Sequence, residues 1–170
     1  FNDELEVNAV FDLPTSAMDV TSSRLPTWGM SFAELEERAL ANLRLRSTEP
    51  FRLVAPGLWA APWGDGHDAA RMLLHDEISR LPGKGEHVAM IPAASVLMIA
   101  GCEDPEALVG MAEIARDAVQ DPRAITGVAF KRAGDGWQVE SSSPTGGMGA
   151  APHGGAGTPA PAPAPTAAPA

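Results

Sequence analysis

Residues 63–73 read WGDGHDAARML and place Trp63, Asp65, His67, Asp68 and Arg71 within nine positions, beside two glycines. Carboxylate oxygens and an imidazole are metal-ligating groups, and His75 lies a little further on. On a helix, however, the adjacent His67 and Asp68 diverge by about 100°. His67, Arg71 and His75 share one stripe, so the two imidazoles stand ~12 Å apart with a cation between them. That spacing argues against a metal, and no metal ligands are assigned. The same residues also make a good helix start. Gly64 and Gly66 free the turn, Asp65 can accept backbone N–H bonds as an N-cap, and Asp68 favours the positive end of the helix. Asp68 and Arg71 then form an i,i+3 pair, with Arg71 facing partly outward. A turn that caps a helix can also take a small anion on its exposed N–H groups. Asp65, His67, Asp68 and Arg71 are therefore the candidate ligand-binding residues, and no residue is assigned a catalytic role.

Other chemistry-bearing residues are less organised. Glu86, Glu103, Asp104 and Glu106 cluster in loops and helix starts, but acid–base work needs two carboxylates at a set separation. Cys102 and His87 could pair as thiol and base across adjacent strands. The neighbouring Glu103 and Asp104 would raise the thiol pKa and work against a nucleophile. No Gly-rich phosphate loop with its lysine follows any strand, and no serine elbow occurs.

All 22 acidic and 12 basic residues of the 170 lie within positions 1–140, so the whole net charge of −10 belongs there. Nucleic-acid backbones and anionic membranes call for clustered Lys and Arg, so neither is expected as a partner. A single cysteine excludes an intramolecular disulfide and a cysteine-rich zinc site, and suits a reducing cytoplasm. The longest apolar runs are too short to cross a bilayer. The chain opens at Phe1, as an excised piece would, with no signal-peptide pattern.

Alternating elements must position these residues. Residues 5–11 read as a strand. Residues 31–47 read as a helix with a Ser31–Glu34 capping box, Phe32, Leu35, Ala39, Leu40 and Leu43 sharing one face and Glu34 and Arg38 pairing on the wet side. Two short strands break at Pro56-Gly57. A second helix is expected from about His67 to Leu81, burying Ala70, Leu73, Leu74, Ile78 and Leu81 and stopping at Pro82-Gly83. HVAMIP and SVLMIAG, separated by Pro92-Ala93-Ala94, read as central strands buried on both faces. A third helix starts at the Asp104 cap with Pro105 in its first turn, and a hairpin follows, turning at Gly134-Asp135-Gly136. The order β-α-ββ-α-ββ-α-ββ predicts one α+β domain over residues 1–140, three helices on a mostly antiparallel sheet. Residues 141–170, almost wholly Ala, Gly, Pro, Ser and Thr, lack side chains to build a core and should form a disordered tail.

The run Asp65-Gly66-His67-Asp68-Ala69-Ala70-Arg71, with Asn42-Leu43-Arg44 upstream and VAMIPAASVLMIAG downstream, resembles the YtpQ-like family of bacterial domains of unknown function. The resemblance spans about Leu5 to Val139. It departs from the family at Pro92-Ala93-Ala94-Ser95, where polar residues are usual. It implies an α+β fold and a bacterial source but supplies no catalytic residues. With no closed catalytic set, the expected function is a non-catalytic, cytoplasmic protein–protein interaction or adaptor module. Its partner is another protein, a homodimer is allowed, and no cofactor is expected. Two other classes fit: a small-molecule or anion-binding enzyme using the Asp65–Arg71 turn, and a secretion- or immunity-type chaperone. A concave pocket joining Asp65, His67 and Arg71 to polar groups of another element would favour the enzyme.

Overall fold

Residues 5–13, 16–120, 123–134 and 136–140 are described by a computed structural model. The fold is α+β. Strands β1 (Val10–Leu13) and β2 (Ser16–Asp19) form a separate antiparallel hairpin, with Phe11 opposite Met18. A 3-10 turn and the short helix α1 (Leu25–Trp28) follow, and Gly29 ends that helix in the left-handed region at φ 60°. Helix α2 (Phe32–Arg46) opens on the expected capping box: the Ser31 hydroxyl accepts from the Glu34 N–H, and the Glu34 carboxylate accepts from the Ser31 N–H at 2.7 Å.

Strands β3 (Arg52–Ala55), β4 (Leu58–Ala60), β5 (His87–Ala93), β6 (Val96–Gly101), β7 (Ala129–Ala133) and β8 (Gly136–Val139) form one sheet in the order β3-β4-β6-β5-β7-β8. Every neighbouring pair is antiparallel. Alternation along β5 and β6 sends Val88, Met90, Met98 and Ala100 to one face, against Ala107, Met111 and Ala115 of helix α4 (Pro105–Ala118). Ala89, Ile91, Leu97 and Ile99 go to the other face, against Phe51, Met72, Ile78 and Phe130. The central strands are therefore buried on both sides, as their unbroken apolar runs require. Asp104 caps α4, accepting from the Ala107 N–H while Lys84 pairs with it at 3.0 Å.

Four expectations change. The first strand begins at Val10, not at residue 5, and turns back into β2. The expected second helix is a 3-10 segment, Ala69–Leu73, followed by the short α3 (His75–Ile78); Leu74, at ψ 65°, breaks the helical ladder between them. Leu74 and Ile78 are buried as predicted, whereas Ala70, Leu73 and Leu81 are only partly so. Strand β5 continues through Pro92 to Ala93, so the turn into β6 is Ala94-Ser95; the Ala94 carbonyl accepts from the Ala69 N–H and holds the 3-10 segment. Finally, α2 buries no residue at all. Its apolar face meets a groove and not the core. Asp135 and residues 141–170, where part of the hairpin turn and the tail were expected, lie outside the described residues.

Candidate functional site

The loop leaving β4 carries Trp63 to Asp68, and Gly64 and Gly66 take φ of 62° and 81°. These left-handed values fold the loop back so that the Asp65 carboxylate accepts from the His67 N–H at 3.0 Å. The same carboxylate meets Arg71 bidentately: Nη1 and Nη2 donate to Oδ1 and Oδ2, each at 2.8 Å. Arg71 Nε donates to the Ser47 hydroxyl at 2.9 Å, just past the end of α2, and Ser47 in turn donates to the Leu43 carbonyl. The guanidinium carbon lies 4.1 Å from the centroid of the Trp63 ring, and Trp63 meets Phe51 edge-on at 5.5 Å. Arg71 is 0% exposed and is among the largest fully buried side chains. The sequence-based expectation that it faces partly outward is overturned. Nor does Asp65 cap a regular α-helix; it closes a local turn, and its main partner is the guanidinium.

The two aspartates of this cluster are driven apart electrostatically. The hydrogen-bonded Arg71 holds the Asp65 carboxyl far below the ordinary carboxylate range, against a smaller opposing cost of burial. Asp68 is fully buried, with Arg71 Nη1 3.5 Å from Oδ1, and its Oδ2 has no hydrogen-bond partner. Burial pushes its pKa up and outweighs the attraction of Arg71. One carboxylate is the counterion of Arg71; the other gives up its proton less readily than an ordinary aspartate.

His67 goes elsewhere. Its Nε2 is 3.4 Å from Asp12 Oδ2 on β1, and Arg46 reaches the same oxygen at 2.9 Å. The structure thus unites the side chains of Asp65, Asp68 and Arg71, while His67 joins them only through its backbone N–H and turns its imidazole to Asp12. His75 stacks on Trp137 at 6.1 Å. Among the described residues, no group of three or more His, Cys, Asp or Glu is set to hold a metal ion. His87 Nε2 is bonded to the Leu81 carbonyl, and Asp104 of the acidic cluster is held by Lys84, which keeps its pKa low.

The larger concavity lies beside this cluster. A groove of about 1240 Å³ runs between the 5–12 segment and α2, with Ala70 and Leu73 also lining it. Its apolar lining includes Val10, Phe11, Phe32, Leu35, Leu40 and Leu43. Phe32 is 64% exposed, and Val7, Val10 and Phe11 are exposed as well. His67 lines the groove, but neither Asp65 nor Arg71 does. Sequence reasoning found the α2 apolar face but expected the helix to pack on the sheet. It missed Ser47, Trp63 as a cation platform, and Asp12. An arginine three and six residues after two aspartates, with a tryptophan close by, was the available signal for the buried cluster.

No protein-family model, no curated protein and no solved structure matches the chain. Among the described residues, no helix is long and apolar enough to cross a membrane.

Proposed function

We propose that this chain is a non-catalytic protein–protein interaction module of YtpQ-like type, working in the cytoplasm and docking its partner in the groove along α2. The observation that carries the reading is the α2 face: a 15-residue helix with a regular apolar stripe and no buried residue. Leu35, Leu40 and Leu43 are half-buried and Phe32, Val10 and Phe11 are exposed, and apolar surface left open along a groove in this way marks interaction sites. The residues with the most chemical promise are otherwise engaged. Arg71 is sealed from solvent, and its bidentate acceptor is an aspartate of the same loop, which leaves no guanidinium face for a substrate. The polar cluster fixes the groove wall in place, and the groove does the binding.

The test is site-specific photo-crosslinking in the native host. Benzoylphenylalanine at Phe32, in the groove, should give a discrete protein adduct that disappears when Leu40→Asp is added. The same group at Val109, exposed on α4, should give none. Equal labelling from both positions, or no adduct from Phe32, would overturn the reading.

A further inference from the structure

The rim of the groove carries more information than its floor. Asp12 already serves Arg46 and His67. Glu6 and Glu36 also line the groove, and among the described residues neither is held in an ion pair. An apolar trough thus has uncompensated carboxylates on both walls, one on the 5–12 segment and one on α2. The rest of the molecule reinforces their sign, since the chain carries a net charge of −10.

We propose that the occupant is an amphipathic helix of another protein, apolar on the inserted face and flanked by Lys or Arg; this rests on the interaction-module reading. Three arguments select it. First, length and form match: 15 residues of α2 present a face ~22 Å long, the length of about four turns. Phe32, Leu35, Leu40 and Leu43 lie in the i, i+3, i+4 rows that receive the side-chain ridges of a second helix. An extended peptide would need a long regular backbone edge, whereas residues 6–9 of this wall form no strand and β1 adds only the four residues Val10–Leu13. A helix satisfies its own backbone and asks only for apolar contact. Second, charge disfavours a second copy of this chain, which would bring another −10 to an acidic rim. Third, residues 141–170 contain no Lys or Arg to answer Glu6 and Glu36, and only one large apolar residue, Met148.

The test uses the full chain and three synthetic peptides of about 14 residues. One is a Leu/Lys helix former with leucines on one face; the second keeps that face but replaces Lys by Glu; the third permutes the Leu/Lys composition to destroy the face. Titration followed by NMR of the α2 methyl groups should show saturable one-to-one binding and induced helicity for the first peptide. The other two should bind at least about tenfold more weakly. Leu40→Asp should weaken the Leu/Lys peptide at least about tenfold although it adds a negative charge, whereas attraction by charge alone would tighten it. Phe32→Asp, at a position too exposed to disturb folding, should act in the same direction. Glu6→Lys with Glu36→Lys should weaken binding and flatten its salt dependence.

Equal affinity for the Leu/Glu peptide, tighter binding by Leu40→Asp, or no binding of the Leu/Lys peptide at about 1 mM would overturn the proposal. So would a concentration-dependent dimer in sedimentation that Leu40→Asp abolishes. A Phe32 crosslink in cells without peptide binding would sink the basic-helix assignment alone. Loss of both would sink the interaction-module reading with it.

Discussion

Replacing Asp65 by alanine removes the bidentate acceptor of a guanidinium that has no contact with solvent. If Asp65 were only a turn cap, losing its bond to the His67 N–H would cost about 1 kcal/mol. Breaking a buried ion pair by deleting one partner costs about 3–5 kcal/mol, because the remaining charge is left uncompensated. Two features moderate that figure here. Asp68 stands 3.5 Å from Nη1 and leaves a second carboxyl beside the guanidinium, and the Ser47 bond to Nε survives. The expected cost is therefore near the lower end, about 3 kcal/mol. Urea denaturation of the wild type and Asp65→Ala at pH 7 measures it, provided the m-value is unchanged. Asp65→Asn keeps an oxygen for the His67 N–H but loses the charge, and should fall between the two. Arg71→Met removes the buried cation itself, so the double variant should be clearly less destabilised than the sum of the singles. A cost at or below about 1 kcal/mol for Asp65→Ala, additive with Arg71→Met, would refute the account of Arg71 as a buried ion held by Asp65.

The pH dependence of stability should carry opposite signatures from the two aspartates. Asp68, raised by burial above its ordinary 3.8, binds its proton more tightly in the native state, so stability falls as pH rises from 3.8 through the native value; Asp68→Asn should remove that decline in pH-resolved melts. Asp65, depressed by Arg71, contributes stability that is complete above 3.8 and is lost progressively as pH falls below it. His67→Ala should change the melting free energy by less than about 0.5 kcal/mol, since Asp12 keeps Arg46 and the His67 contact is partly exposed. Leu74→Ala, at a fully buried position, should cost about 2–5 kcal/mol by opening a cavity. Leu73→Ala, which lines the groove, should cost less in the same denaturation assay.

What the sequence disclosed depended on how far each signal reaches along the chain. The capping box at Ser31–Glu34, the Asp104–Pro105 helix start and the unbroken apolar runs of β5 and β6 are decided by near neighbours, and all were legible. The α2 stripe was legible as a stripe, but periodicity says which residues share a face and not what faces them. Whether Leu40 meets the sheet or a groove depends on where the 5–12 segment lies, and no local pattern records that. The same limit hid the buried cluster. Asp65 and Asp68 follow capping rules well enough to pass as a helix start, yet Arg71 needs Ser47, 24 positions away, and the face of Trp63 to be sealed inside. Leu74, at ψ 65°, interrupts the expected helix, a backbone departure that no periodic pattern records.

The attachment of α2 is also lopsided. Its fixed contacts sit at the carboxyl end: Ser47 to Arg71, Arg46 to Asp12, and Arg44 to Asp76 at 3.2 Å. Phe32, at the opposite end, is mostly in solvent. A rod clamped at one end bends like a cantilever, with its free tip travelling furthest. Amide exchange along α2 should therefore be graded, fastest near Phe32 and slowest near Leu43, and the width of the trough should vary most at its Phe32 mouth. A jaw hinged at one end varies in gape at its tip while keeping a fixed register where it is anchored, near Arg71.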